Sequence, residues 1–135
     1  MQSAYRLLCA LIGGSGVLIG VAFLAAFFRS QAPGAVAAGP LPVGPNGAYF
    51  VAFTGSCLVA WSGCLLGAAR HPTAAPWIAT ATSFGLVLNA VYRMAAWFVG
   101  DYHALGELPR IEAGIFLALA LAFLWLRPTR TAVEA

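Results

Sequence analysis

Four long apolar stretches, separated by short polar or proline-rich segments, make up most of this chain. A helix needs about 20 mostly apolar residues to cross a bilayer, because each residue adds about 1.5 Å of length. The pattern therefore predicts four transmembrane helices, over residues 7–28, 49–67, 76–99 and 109–126, with the last beginning at Pro109 or Ile111. We predict an all-α polytopic membrane protein, a single domain over residues 1–135 formed by an antiparallel bundle of four transmembrane helices.

The composition excludes an ordinary soluble domain. Of the residues, 61% are hydrophobic and 8% are charged, which leaves too little polar side chain to cover a water-exposed surface. The net charge of +3 comes from arginines that are scattered along the chain, so it predicts no nucleic-acid partner. The predicted environment is the lipid bilayer.

The arginines outside the apolar stretches predict an orientation. Four lie on the side of both termini and two on the opposite side, namely Arg6, Arg70, Arg127 and Arg130 against Arg29 and Arg110. Because cytoplasmic loops carry the excess of positive charge, both termini are predicted to be cytoplasmic. The expected location is the bacterial cytoplasmic (inner) membrane, which the chain would cross several times.

The connections differ in length and composition. Residues 70–75 leave room only for a tight hairpin between the second and third helices, which must then be neighbours. Residues 29–47 interleave four prolines with glycines, a composition that disfavours both helix and strand. This segment is predicted to form an extended outer loop.

The first apolar stretch concentrates glycines near its middle. Gly13, Gly16 and Gly20 are among them, and the spacing of the last two is the one that lets two helix backbones approach closely. Two interpretations remain open: the glycines pack against a neighbouring helix of the same chain, or they form an interface with a second copy or a partner membrane subunit.

Polar residues recur along one side of the third predicted helix. Thr82, Leu86, Asn89 and Arg93 follow one another at helical spacing and form a stripe that is predicted to face inward. Two hydroxyl residues that lie off this stripe, Thr80 and Ser83, can bond to their own helix backbone and need no partner. Asn89 and Arg93 do need one, because a charge within a membrane helix usually has a partner in the protein interior.

Glu112 is the predicted partner of Arg93. It lies early in the fourth helix, at a depth that Arg93 can reach from late in the antiparallel third helix. Two interpretations stay open for Asn89, Tyr92, Arg93 and Glu112. They form either a structural ion pair that locks two helices, or a site for an anionic or carbonyl-bearing ligand.

The outer turn between the last two helices holds Asp101, His103 and Glu107. These side chains could bind a metal or transfer a proton, but no second histidine lies on that side, so a solvated turn is the prediction. We predict no metal site, no cofactor and no catalytic residue, since the chain contains no phosphate loop, dinucleotide fingerprint or nucleophile elbow. The three cysteines show no CxxC spacing and predict no disulfide framework.

Two motifs carry a family resemblance. The order of four short spans, with Asn89-Ala-Val-Tyr92-Arg93 late in the third and Arg110-Ile-Glu112-Ala-Gly114 early in the fourth, resembles a group of bacterial four-span integral membrane proteins that has no established activity. The resemblance implies a fold and no chemistry.

Two functions are compatible with this sequence. The first is a non-enzymatic accessory or interaction subunit of a membrane assembly, which fits the small size and the glycine-rich helix. The second is a small-molecule or lipid binder, or a transporter-like protein, with a polar pocket around Asn89, Arg93 and Glu112. An enzyme is the less favoured alternative.

Overall fold

The computed structural model describes residues 2–30, 45–99 and 106–128. These ranges fold into four helices: α1 over Gln2–Ser30, α2 over Pro45–Arg70, α3 over Trp77–Val99 and α4 over Leu108–Leu126. The prediction of an all-helical chain is confirmed.

Three of the described helices are long and apolar enough to cross a membrane. They are α1, residues Gly47–Arg70 of α2, and α4. This confirms the expectation of a membrane protein. The helix α3 is also long, with 23 residues, but it carries Asn89 and Arg93 and is not among the helices that are apolar enough. Its crossing of the bilayer stays a prediction.

The helices α1 and α2 are longer than their apolar stretches. The first begins at Gln2 and the second runs from Pro45 to Arg70, so residues 45–47, predicted as loop, are helical. Pro45 is compatible with a first helical turn, because the N–H that proline lacks would have no partner there. The same holds for Pro109 in the first turn of α4. The rest of the predicted outer loop, residues 31–44, lies outside the described residues.

The chain divides into two compact units. In one, the start of α1 up to Leu8 belongs with α3 and α4; in the other, α1 from Cys9 onward pairs with α2. In each unit the two long helices run antiparallel. In the second unit, Gly20 in the later half of α1 lies against Gly55 in the earlier half of α2, and Gly13 in the earlier half of α1 lies against Leu66 near the end of α2.

Small side chains fill most of the core of the α3 and α4 unit. Ala79, Ser83 and Ala90 of α3 are buried, as are Ala113 and Ala120 of α4. The larger buried groups are Tyr5 and Phe123, whose rings meet edge to face with centroids 6.5 Å apart. Small residues let two helices approach closely, which holds this pair together over most of its length.

Candidate functional site

Arg93 and Glu112 meet across the α3 and α4 pair. The Arg93 Nε atom lies 3.0 Å from the Glu112 Oε2 atom, so the two predicted partners form an ion pair in the structure. Arg93 lies six residues before Val99 and Glu112 four residues after Leu108, which puts both about 6–9 Å from the same end of their antiparallel helices. Their depths match because α3 and α4 run in opposite directions.

The aromatic ring of Phe116 forms a third part of this site. The Arg93 guanidinium carbon lies 4.9 Å from the centre of the ring, which is cation–π geometry. Phe116 is one helical turn beyond Glu112, so both side chains lie on the face of α4 that Arg93 approaches. Phe116 was not among the predicted site residues, although its spacing of four from Glu112 was a usable signal.

The ion pair is half-buried and imperfectly aligned. The side chains of Arg93 and Glu112 keep 26% and 37% of their surface exposed. The Arg93 Nε atom is buried, and its N–H does not make an aligned hydrogen bond to any described residue. The contact is therefore electrostatic, with a guanidinium held between a carboxylate and a ring face. Chemically, this arrangement can neutralise a charge within the helix pair and fix the register of the two helices.

Asn89 and Tyr92 lie apart from this ion pair. Both side chains are exposed, and the Asn89 Nδ2 atom donates a hydrogen bond to the Gly85 backbone oxygen of its own helix, at 3.0 Å. The prediction that the whole stripe faces inward is wrong for Asn89. Burial on α3 instead follows Ala79, Ser83 and Ala90, so Asn89 falls at the edge of the buried face.

Ser83 has a role that the sequence analysis did not assign. It is buried, and its hydroxyl donates a hydrogen bond of 2.9 Å to the Ala120 backbone oxygen on α4. We expected this hydroxyl to bond to its own helix backbone and to need no partner, but it has a partner on α4. Thr82, next to it, does behave in that way, since its hydroxyl donates to the Ile78 oxygen one turn earlier, at 2.7 Å.

Thr80 also has a partner, at the residue that follows α4. At this end of the pair, an Arg127 Nη1 atom donates to the Thr80 Oγ1 atom at 3.2 Å. Thr80 is exposed in the first turn of α3, and Arg127 directly follows α4. The α3 and α4 pair therefore has polar contacts near both ends as well as at Ser83.

The turn between α3 and α4 is described only in part. Glu107 is exposed and pairs with Arg110, with the Oε2 and Nη1 atoms 3.1 Å apart, and the Arg110 guanidinium lies 5.6 Å from the Trp97 ring centre. Asp101 and His103, predicted to share a polar cluster with Glu107, lie outside the described residues. Within the ranges that the structure covers, no three His, Cys, Asp or Glu side chains come together as metal ligands.

The glycines of α1 face α2. A Cβ atom on Gly20 would lie 2.7 Å from the Gly55 backbone oxygen, and one on Gly13 would lie 3.1 Å from the Leu66 Cγ atom. A Cβ atom on Gly16 would collide with the Ser62 hydroxyl. Of the two interpretations of these glycines, the structure shows the packing of α1 against α2. The same face is therefore occupied and is not available to a second copy or a partner subunit.

No family model, curated protein or solved structure matches this chain. The resemblance to bacterial four-span membrane proteins stays a prediction from the residues alone.

Proposed function

We propose that this protein is a non-enzymatic interaction subunit of a membrane assembly. The observation that supports this function is the contact between Arg93, Glu112 and Phe116, in which the charges within the α3 and α4 pair are used to join two helices. A charge already neutralised by its own chain is poorly suited to bind a substrate.

The charge balance around the ion pair supports the same function. Arg93 and Arg110 are each paired with a glutamate, Glu112 and Glu107, so the two positive and two negative groups sum to zero. A site built for an anion would carry excess positive charge to attract it. The paired arrangement produces no such excess among the described side chains of this end.

Large apolar side chains dominate the outer surface of the helices. Leu18, Phe98, Leu121 and Trp125 have exposed fractions of 74%, 73%, 67% and 79%. Such a surface needs either lipid tails or the apolar helices of another membrane protein around it. An accessory subunit uses part of this surface to bind a partner and leaves the rest in contact with lipid.

The proposed location is the bacterial inner membrane, with four spans in an antiparallel bundle and both termini in the cytoplasm. The support is the arginine distribution, with Arg6, Arg70 and Arg127 at helix ends on the proposed cytoplasmic side. A reporter that is active only in the periplasm should be active when fused after Glu107 and inactive when fused after Thr73. The opposite pattern would overturn the orientation, and equal activity at both positions would overturn the crossing of α3.

Native mass spectrometry of the protein, extracted from its membrane within lipid patches, tests the proposed function. We expect discrete masses that contain this chain and other membrane chains in a fixed ratio. We expect the same masses for Arg93→Lys, which keeps the charge. A chain that appears alone, with a small-molecule adduct that is lost in Arg93→Lys, would reject the subunit function in favour of a binder.

One observation favours a second candidate function, a small-molecule or lipid binder. The Arg93 guanidinium remains about a quarter exposed, and its Nε–H makes no aligned hydrogen bond within the described chain. A ligand with a carbonyl or phosphate oxygen could accept hydrogen bonds from the exposed part of this group. Binding of a spin-labelled phospholipid that is lost in Arg93→Leu and kept in Arg110→Leu would favour this function.

A further inference from the structure

Asn89 is a polar residue at the middle of α3. It follows Trp77 by 12 residues and precedes Val99 by 10, so it lies about 15–18 Å from either end of the helix. The hydrocarbon core of a bilayer is about 30 Å thick. In the proposed topology, on which this inference rests, the Asn89 carboxamide is near the centre of the membrane.

The hydrogen-bonding capacity of Asn89 is only partly used. One N–H donates to the Gly85 backbone oxygen, while the second N–H and the Oδ1 atom have no partner among the described residues. The side chain is exposed, so these groups face whatever surrounds α3. Lipid tails offer no donor or acceptor, and an unsatisfied amide in hydrocarbon is unfavourable.

The surface next to Asn89 has room for another helix. Gly85 lies one turn earlier on the same face, and a Cβ atom built on it would meet nothing within 4 Å. Ala81 lies one turn before Gly85, so small residues occupy the positions along which a second backbone would pass. Tyr92, exposed at 60%, follows Asn89 on this side. We call Ala81, Gly85, Asn89 and Tyr92 the Asn89 face.

We propose that the Asn89 face binds the same face of a second copy of this chain, through reciprocal hydrogen bonds between the two Asn89 carboxamides. A carboxamide is self-complementary, because it carries both a donor and an acceptor. Two copies inserted in the same orientation and related by a two-fold axis along the membrane normal bring Asn89 opposite Asn89 at equal depth. Each open N–H then meets the open Oδ1 of the other copy.

The charges near the Asn89 face permit this contact. Arg93 lies one turn further along α3, and two unpaired arginines would repel each other across the two-fold axis. Each Arg93 is neutralised by Glu112 of its own chain, at 3.0 Å. The four residues of the Asn89 face carry no charge, so a neutral, amide-bearing helix complements this face better than a charged one.

Energy transfer between labelled copies of the full chain in phospholipid vesicles measures this association. We expect wild type to dimerise, Asn89→Leu to weaken dimerisation about tenfold or more, and Asn89→Gln to retain most of it. The matched control is Ser56→Leu. Ser56 on α2 is also exposed, and it also donates to the carbonyl four residues earlier, Ala52, at 3.0 Å. Its replacement should leave dimerisation unchanged.

Disulfide cross-linking gives a second readout that does not depend on the Asn89 substitutions. Tyr92 and Val91 are adjacent and equally exposed, at 60% each, but they point to different sides of α3. In a chain carrying Cys9→Ala, Cys57→Ser and Cys64→Ser, Tyr92→Cys should form a cross-linked dimer and Val91→Cys should not.

Three results would overturn the proposal: a monomeric wild type, equal weakening by Asn89→Leu and Ser56→Leu, or equal cross-linking by Tyr92→Cys and Val91→Cys. The reporter fusions separate this failure from a failure of the proposed topology, because they report on orientation and on the crossing of α3 and do not depend on dimerisation. A monomeric wild type in which α3 crosses the membrane would reject only the Asn89 contact.

Discussion

The contact between α1 and α2 and the contact between α3 and α4 hold antiparallel helices together with different chemistry. In the first, the backbones approach so closely that a Cβ atom on Gly20 would lie 2.7 Å from the Gly55 oxygen. In the second, side chains reach across, with Arg93 against Glu112 and the Ser83 hydroxyl donating to Ala120.

This difference predicts which substitutions should destabilise each contact. A lipid environment gives little hydrophobic drive for helices to associate, so close packing and polar bonds must supply it. Packing between backbones has no adjustable part, whereas a long side chain can find another rotamer or another partner. The α1 and α2 contact should therefore be intolerant of added atoms, and the α3 and α4 contact should be sensitive to unmatched charge.

The largest effect is expected for Gly20→Leu, and a smaller one for Gly20→Ala. Even the alanine methyl would collide with the Gly55 backbone oxygen, which cannot rotate away, and with the Val59 Cγ2 atom at 2.8 Å. Overpacking of this kind costs roughly 1–3 kcal/mol for alanine, and leucine should cost more. The free energy of unfolding in lipid bicelles measures it. Gly14→Ala is the control, since a Cβ atom there meets nothing within 4 Å. Equal losses at Gly14 and Gly20 would contradict the described packing.

The next effect is expected for Arg93→Leu, which leaves the Glu112 carboxylate without its partner. A fully buried stranded charge costs roughly 3–5 kcal/mol, and the partial exposure of this pair should reduce the loss to about 1–3 kcal/mol. The double variant Arg93→Leu with Glu112→Leu should lose less, because both charges are gone. The free energies of unfolding of Arg93→Leu, Glu112→Leu and the double variant, each compared with wild type, form a double-mutant cycle. Losses that simply add would show that the two residues do not stabilise each other.

Ser83→Ala should have a smaller effect, about 0.6 kcal/mol, because it removes one hydrogen bond between α3 and α4. The neighbouring Thr82→Val is a matched control. Both hydroxyls are buried, but the Thr82 hydroxyl donates only to its own helix, at the Ile78 oxygen. The same unfolding assay should show a loss for Ser83→Ala beyond that for Thr82→Val. The reverse order would mean that the bond to Ala120 contributes nothing.

The smallest effect is expected for Glu107→Gln. Glu107 and Arg110 are 62% and 60% exposed, and exposed ion pairs typically contribute roughly 0–0.5 kcal/mol within one helix turn. The stability should therefore remain within about 0.5 kcal/mol of wild type in the same assay. A loss as large as that of Arg93→Leu would show that the polar contacts of α3 and α4 extend into the outer turn.

The sequence predicted the helices and the Arg93 and Glu112 pairing because both follow from strong local signals. A long apolar stretch indicates a helix that crosses a membrane. Few charged residues lie in such stretches, so each has few possible partners. The surroundings of the pair were harder to predict. Asn89 shares the helical spacing of Arg93, yet the buried side of α3 follows Ala79, Ser83 and Ala90. Alanine and serine carry weak polarity signals, so the polar residues dominated the predicted orientation.

The partner of the α1 glycines could not be derived from spacing alone. The spacing of Gly16 and Gly20 shows that a backbone can approach, but it does not say which one. Gly55 and Ser62 on α2 supply the answer, and in the sequence they look like ordinary small residues of an apolar helix. Phe116 and Ser83 were missed for a similar reason, since each takes its role from a residue on another helix.

The mutual approach of Gly20 and Gly55 has a consequence for how this chain can change over generations. A Cβ atom on Gly55 would lie 2.8 Å from the Gly20 oxygen, so each glycine excludes a side chain on the other. An acid and a base can exchange places and still attract, which leaves Arg93 and Glu112 a route for paired replacement. No residue is smaller than glycine, so no substitution at Gly55 can make room for a side chain at Gly20. Sequence drift should therefore preserve these two positions even where the ion pair is rebuilt from other residues.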